Sequence, residues 1–448
     1  MARMVFSEVV GTLSFLQPQA DDNIVDRLHY YYTSTFLLVT AVLISLKMFG
    51  GRPIECWLPA EYKSSWEDYA ESLCWAKSTF WTPFNQEIPA ADEEREINTV
   101  AYYQWAPFFL VICAFFFYAP CLIWRLMYDR SGIRLRDIIS FANDRSNIQP
   151  QSRMANIRGL ADHLGSVFKH RFRMRTEHPL HHKMVKWMNI RYYEAYLTSL
   201  YLLIKFLFFS NVAIQMFMMN KFLQTDDYDI YGFGVLKDIL RGRPWSDSGN
   251  FPRVTYCDLD IRILGNVQRH TVQCVLVINI FTEKVFVLLW IWYMLLATCT
   301  LVSLTMWASN LIPLEQRKKF IARRLELADV NFKRKEFNQE LLEFTRDYIK
   351  MDGVFVLNML TIHAGLLICT EIVDQMWDNF LEERQGGEKS PPIHGGIDTS
   401  GLGGPGGRRK TSVLMPLVSR DDTMLPPTTP QPGSMMESPF LRPPSSAK

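Results

Sequence analysis

The sequence predicts an all-α membrane protein. It has four transmembrane helices, two disulfide-stapled extracellular loops forming a small α/β cap, and a helical cytoplasmic dome. Three observations predict it. Four apolar runs are long enough to cross a hydrocarbon core, which takes about 20 residues. Two cysteine pairs, Cys56 with Cys74 and Cys257 with Cys274, sit in polar segments between runs, on one side of the membrane. Basic residues crowd the segments on the other side.

The averages hide this pattern. Over 448 residues the net charge is only +2 and mean hydropathy is −0.03, values typical of soluble proteins. Length alone would suggest two or three soluble domains. The apolar residues are clustered, and the clusters decide the class.

Residues 1–31 begin with MARMVFSEVVGTLSFL, apolar enough for a short amphipathic helix whose only charges are Arg3 and Glu8. No signal peptide is expected, because several acids precede the first run. The spans are read at 32–49, 102–124, 197–219 and 285–306. Lipid offers no partner to a free amide, so each must be helical. Tyr30, Tyr31, Tyr32, Tyr102, Tyr103, Trp105 and Trp124 crowd span ends as an aromatic belt. The segment 125–196 is rich in Arg and Lys, whereas 50–101 ends in the acids Glu87, Asp92, Glu93, Glu94 and Glu96. The positive-inside rule places 125–196 and both termini in the cytoplasm.

The outer loops, 50–101 and 220–284, are too short to hold a shape on an apolar core alone. Thiols facing an oxidising exterior form disulfides, and four cysteines allow three connectivities. Cys113, Cys121, Cys299 and Cys369 lie elsewhere, with no oxidised partner expected. The stretch Val272–Phe281 reads as a strand, being rich in β-branched residues. Neither loop carries an Asn-x-Ser/Thr site, so a glycan-free face is compatible with docking to another protein.

The C-terminal region 307–384 reads as cytoplasmic helices. Gln316–Lys350 is charged with apolar residues at helical spacing. Val354–Val373 is apolar but holds His363, Gly365 and Glu371, and reads as one helix buried in the protein assembly rather than a fifth span. Residues 385–448 are rich in Gly, Pro and Ser and are expected to be disordered.

A family resemblance rests on particular strings. Tyr102-Tyr103-Gln104-Trp105-Ala106-Pro107 opens the second span, and each outer loop has two cysteines. Asp26-Arg27-Leu28, Phe251-Pro252-Arg253-Val254-Thr255, Glu283-Lys284, Trp290-x-Trp292 and Asp352-Gly353-Val354-Phe355 fit the same pattern. The chain resembles the innexins, the invertebrate gap-junction proteins, from its start to about Arg384. That resemblance implies a ring of eight subunits docked to a second ring in the neighbouring membrane. It implies bridges between the loops, Cys56 to Cys274 and Cys74 to Cys257. It also implies that the N-terminal segment folds into the pore mouth and that the first span lines the path.

A charge in such a ring repeats in every subunit and biases ion choice. Arg3, Glu8 and Lys47 are therefore the candidates for selectivity and voltage response. Lys205, inside the third span, is expected to make a contact within the protein. Pro107 and Pro120 remove helix hydrogen bonds and are expected to bend the second span. His178, His181 and His182 lack further metal ligands. Arg408-Arg409-Lys410 before Thr411 and Ser412 makes those two hydroxyls possible phosphorylation sites. The run Gly401–Gly407 lacks the strand, helix and Gly-Lys-Ser/Thr of a phosphate loop. No catalytic constellation is apparent, and no metal, cofactor or nucleic-acid partner is expected. Partners would be membrane lipid, identical subunits and other innexins. The rival readings are a pannexin-like channel in one membrane and a four-span adhesion protein without a pore.

Overall fold

The computed structural model describes residues 18–19, 21–59, 63–84, 86–176, 195–223, 251–328 and 337–388, with Gly234 and Lys237. Arg3, Glu8, the three clustered histidines, Thr411 and Ser412 lie outside the described residues.

Among the described residues, four long helices form the body: α1 (Ile24–Gly50), α4 (Tyr102–Tyr128), α7 (Tyr196–Phe222) and α8 (Val277–Leu311). All four are long and apolar enough to cross a membrane. α1 starts eight residues before the apolar run that predicts it. Asn23 caps it by accepting from the Ile24 amide at 2.7 Å, and the Asp26 carboxylate accepts from the Asn23 amide at 3.3 Å. This reciprocal arrangement satisfies two otherwise orphaned donors. A π-helical turn, Leu28–Thr33, follows and carries His29 and Tyr30 fully buried. α4 continues as one helix through Pro107 and Pro120, both buried. α8 has 35 residues. At 1.5 Å per residue it is about 52 Å long, well beyond a hydrocarbon core of about 30 Å.

At one end of the bundle sits a small α/β cap. It contains β1 (Glu55–Trp57), α2 (Ser64–Lys77), β2 (Thr79–Phe80), α3 (Asp92–Ile97), β3 (Thr99–Val100), β4 (Val254–Ile263) and β5 (Asn266–Val275). The sheet order is β1-β5-β4-β2-β3, with antiparallel neighbours throughout. The strand expected over Val272–Phe281 is instead the last part of β5 followed by the first turn of α8. Leu276 breaks between them, its amide donating to the Arg253 carbonyl at 2.8 Å. Four residues from Val272 complete the β5 ladder, and the rest wind into helix.

The opposite end carries a helical dome: α5 (Leu135–Ala142), α6 (Pro150–Thr176), α9 (Leu314–Leu327), α10 (Phe337–Glu343), α11 (Lys350–His363) and α12 (Leu366–Glu388). A π turn, Phe344–Ile349, joins α10 to α11. The helix expected over Val354–Val373 is two helices. Gly365 adopts φ 92°, a left-handed conformation that ends α11 and suits glycine. Val354 to Leu357 are fully buried, as the apolar run requires. At Gly353 a Cβ would come within 2.7 Å of Ile349 and 3.0 Å of the Phe168 ring, so only glycine lets α6 and α11 approach this closely.

Two apolar cores result. One fills the cap and the adjoining half of the bundle, around Tyr103, Phe117, Cys257, Cys274 and Phe286. The other joins the dome to the opposite half, around Trp124, Tyr201, Trp307 and Phe355.

Candidate functional site

The cap is held by covalent and polar links between the two loops. Cys56 of β1 is bonded to Cys274 of β5, its direct partner across the ladder, with Cα atoms 4.0 Å apart. Cys74 of α2 is bonded to Cys257 of β4 at a Cα separation of 5.7 Å. One of the three possible connectivities is thus realised, and both bonds cross from the first loop to the second. The sulfurs of Cys56, Cys74 and Cys274 lie within 4.8 Å of one another. All three are in disulfides, which removes the thiolates a metal would need. Cys113, Cys121 and Cys369 are buried free thiols, and Cys299 is an exposed one.

Ion pairs reinforce the staples. Arg95 reaches Asp258 at 2.9 Å, and Arg269 reaches Asp260 at 2.9 Å and Asp92 at 2.7 Å. At the base, Asn279 donates to the Pro252 carbonyl at 3.0 Å, and Arg253 meets the buried Glu283 at 3.2 Å. These contacts explain why α8 begins before its apolar run: its first turns serve the cap.

The Tyr102–Pro107 string docks α4 onto that cap. The Tyr103 ring is fully buried, 5.0 Å from Trp75, which follows the stapled Cys74. Gln104 donates to the Trp75 carbonyl. Tyr102 packs edge-on to Phe251 and Phe222. Trp105 points the other way and is exposed, as a residue facing lipid at a membrane interface would be.

Lys47 lies in the last turn of α1, partly exposed, with its Nζ 6.0 Å from the centre of the Phe281 ring. Lys205 is fully buried. Its Nζ is 2.8 Å from Asp26 Oδ1 and 2.9 Å from Ser303 Oγ. Tyr201 donates to Asp26 Oδ2 at 2.9 Å, and His29 Nε2 lies 2.7 Å from Thr300 Oγ1. Asp26, Lys205, Tyr201 and Ser303 thus form one polar cluster that ties α1, α7 and α8 together at the dome end, and the His29–Thr300 contact is a separate link between α1 and α8. Asp26 and His29 were missed as working residues by a reading that began the span at residue 32. Their signal was a three-residue spacing on the helical path into the apolar run.

The dome grips this end in two places. Asp352 accepts from the amides of Leu197 and Thr198 at 3.1 and 2.9 Å, and from the Thr198 hydroxyl at 3.0 Å. It acts as the cap of α7, supplied from a distant helix. His363 Nε2 donates to the Asp22 carbonyl at 2.7 Å. Burial pushes the Asp22 carboxyl up to about 7, although Tyr30 and Arg27 both donate to it. Burial also holds the His363 imidazole below its usual range.

A four-helix membrane bundle, a disulfide-locked cap joining two loops, and a dome capping one of the spans define a multi-pass membrane protein of a distinct architecture. A family model described as Innexin matches residues 22–380. Innexin-10 of Caenorhabditis elegans is 41% identical over 84% of this chain and 68% of the relative. Innexin-11 of the same organism is 38% identical over 88% of this chain and 86% of the relative, and Innexin unc-9 is 37% identical over 85% and 97%. The chain belongs to the innexin family.

Proposed function

We propose that this chain is a subunit of an innexin gap-junction channel, passing ions and small metabolites passively between adjacent cells. The observation that carries the reading is the cap. Two staples fuse both loops into one rigid body, which suits a surface that must meet another surface without reshaping. Family membership supports the same reading, because innexins form gap-junction channels.

The subunits assemble as a ring of eight, alone or mixed with other innexins, and the ring docks to a second ring in the apposed membrane. The same ring serves as a hemichannel before docking. The cap faces the exterior, where disulfides persist. The basic 125–196 segment and both termini face the cytoplasm. Arg3, Glu8 and Lys47 bias the permeating ions, and phosphate on Thr411 or Ser412 reduces the positive charge of the tail. Diffusion through a wide aqueous pore requires no catalytic group and no cofactor.

Transfer of a small fluorescent tracer between apposed expressing cells tests the channel. Spread to neighbours only where both cells express the chain is the expected result. Tracer confined to the loaded cell, with the protein at the surface, would contradict it. Electron microscopy of purified particles gives the subunit count. Lys47→Glu shifts the reversal potential if Lys47 faces the pore; an unchanged potential removes it from the path.

A further inference from the structure

The β4–β5 hairpin ends in a residue that its own fold does not use. Its two-residue turn places Leu264 at φ 50° and Gly265 at φ 91°. The left-handed region suits glycine or asparagine and strains a leucine. Leu264 is also completely exposed, at 102% of its reference surface. Ile263 and Val267 beside it are exposed too. A leucine offers only apolar surface, so a strained and solvated one at a hairpin tip marks a contact made elsewhere.

The receptor for it lies on the flank of the same hairpin. A cleft of about 480 Å³ is lined by Trp57, Trp66, Tyr69, Ile88, Leu259 and Ile261 among others. Trp57 is 73% exposed and Tyr69 56%. Large, rigid aromatics around a concave surface are the usual lining of a pocket that takes an apolar anchor. The charges match as well. Arg262 is exposed beside the knob, and Glu67 is exposed on α2, which forms one wall of the cleft.

Symmetry selects where the second copy stands. Only Leu276 separates β5 from α8, so the hairpin base is at the membrane end and its tip is the far end. The cleft lies between base and tip. Rotation about a ring axis along the membrane normal preserves height and brings knobs level with knobs. A two-fold axis lying in the gap inverts height. It sets each knob level with the other copy's cleft, making both contacts at once.

We propose that Leu264, with Ile263 and Val267, inserts into the Trp57–Trp66–Tyr69 cleft of a copy of this chain in the apposed membrane, with Arg262 against Glu67. This rests on the docked-channel reading and names its contact.

Paired cells test it by charge exchange. Arg262→Glu paired with itself, and Glu67→Arg paired with itself, each set like charges together and lose junctional conductance by about tenfold or more. Pairing an Arg262→Glu cell with a Glu67→Arg cell restores it, because one contact is re-formed with reversed charges and the other is unaltered. Leu264→Ser paired with itself also loses coupling. Wild-type coupling in all three same-variant pairs would overturn the proposal. Recovery in a double variant paired with itself, but not in the mixed pair, would place the contact within one ring and overturn the assignment across the gap. Surface labelling and single-cell currents show that the variants fold. A second assay is independent of conductance. Leu264→Cys in one cell population and Tyr69→Cys in the other should form an oxidative cross-link only where the cells touch. No cross-link between surface-expressed variants contradicts the contact, whereas uncoupled wild-type pairs that do cross-link contradict only the channel reading.

Discussion

Lys205 Nζ sits 2.8 Å from Asp26 Oδ1, with Lys205 fully buried and Asp26 nearly so. The pair joins α7 to the first turn of α1. Removing one member leaves a buried charge without its counter-ion, which costs about 3–5 kcal/mol. Lys205→Met or Asp26→Asn should therefore lower the thermal unfolding temperature of the detergent-purified protein sharply. The double exchange should recover part of the loss. Single variants as stable as wild type would show that the pair contributes nothing.

Asp352 satisfies α7 amides that would otherwise be orphaned in a buried place. Asp352→Ala should cost roughly 1–3 kcal/mol, the penalty for stranding buried donors. Asp352→Asn keeps one acceptor and should cost less. Thermal unfolding of the two variants side by side checks the order; Ala milder than Asn would contradict the capping role.

Arg153 and Glu371 are a contrasting case. They pair across α6 and α12, with Arg153 Nε donating at 2.9 Å, but both are substantially exposed. Solvent-screened pairs contribute about 0–1 kcal/mol. Glu371→Gln should leave unfolding nearly unchanged, and a large shift in the melting temperature would show that the pair is shielded in the assembly.

Asp22 gives stability a pH dependence. Its carboxyl is raised from 3.8 to about 7, chiefly by burial, so the folded protein holds this proton more tightly than the unfolded chain. Its contribution is full below pH 3.8 and is lost as pH rises through about 7. Asp22→Asn should remove that part of the dependence. Unfolding temperatures of wild type and variant, compared between pH 5 and pH 8, should converge at the acid end and diverge at the alkaline end. Parallel curves would contradict the raised value.

The staples enclose long loops, with sequence separations of 218 and 183 residues. Loss of a native disulfide typically costs about 2–5 kcal/mol. Cys56→Ser should abolish junctional coupling by unlocking β1 from β5, and extracellular reductant should do the same to wild type. Normal coupling from a surface-expressed Cys56→Ser variant would sink the stapled-cap argument.

The four spans were legible because lipid demands long apolar runs, and the cap staples because thiols between spans share one compartment. The starts of α1 and α8 were not. Asp26 and His29 in α1, and Asn279, Thr282 and Glu283 in α8, lower the local hydropathy although all are buried. Their partners come from other helices and the cap, which no window along the sequence can see. Lys205 was read as an internal contact, but not Asp26 as its partner, because the two stand 179 positions apart in the chain and only packing joins them. The split of Val354–Val373 depends on a single left-handed Gly365. The proposed cap contact rests on Leu264, whose strain is visible only in the backbone.

Dual whole-cell voltage clamp on paired cells that both express this chain tests the central claim most directly. The account predicts a junctional current that control pairs lack and that disappears with Cys56→Ser. Absence of junctional current between wild-type pairs, with the protein confirmed at both surfaces, would contradict a docked homomeric channel.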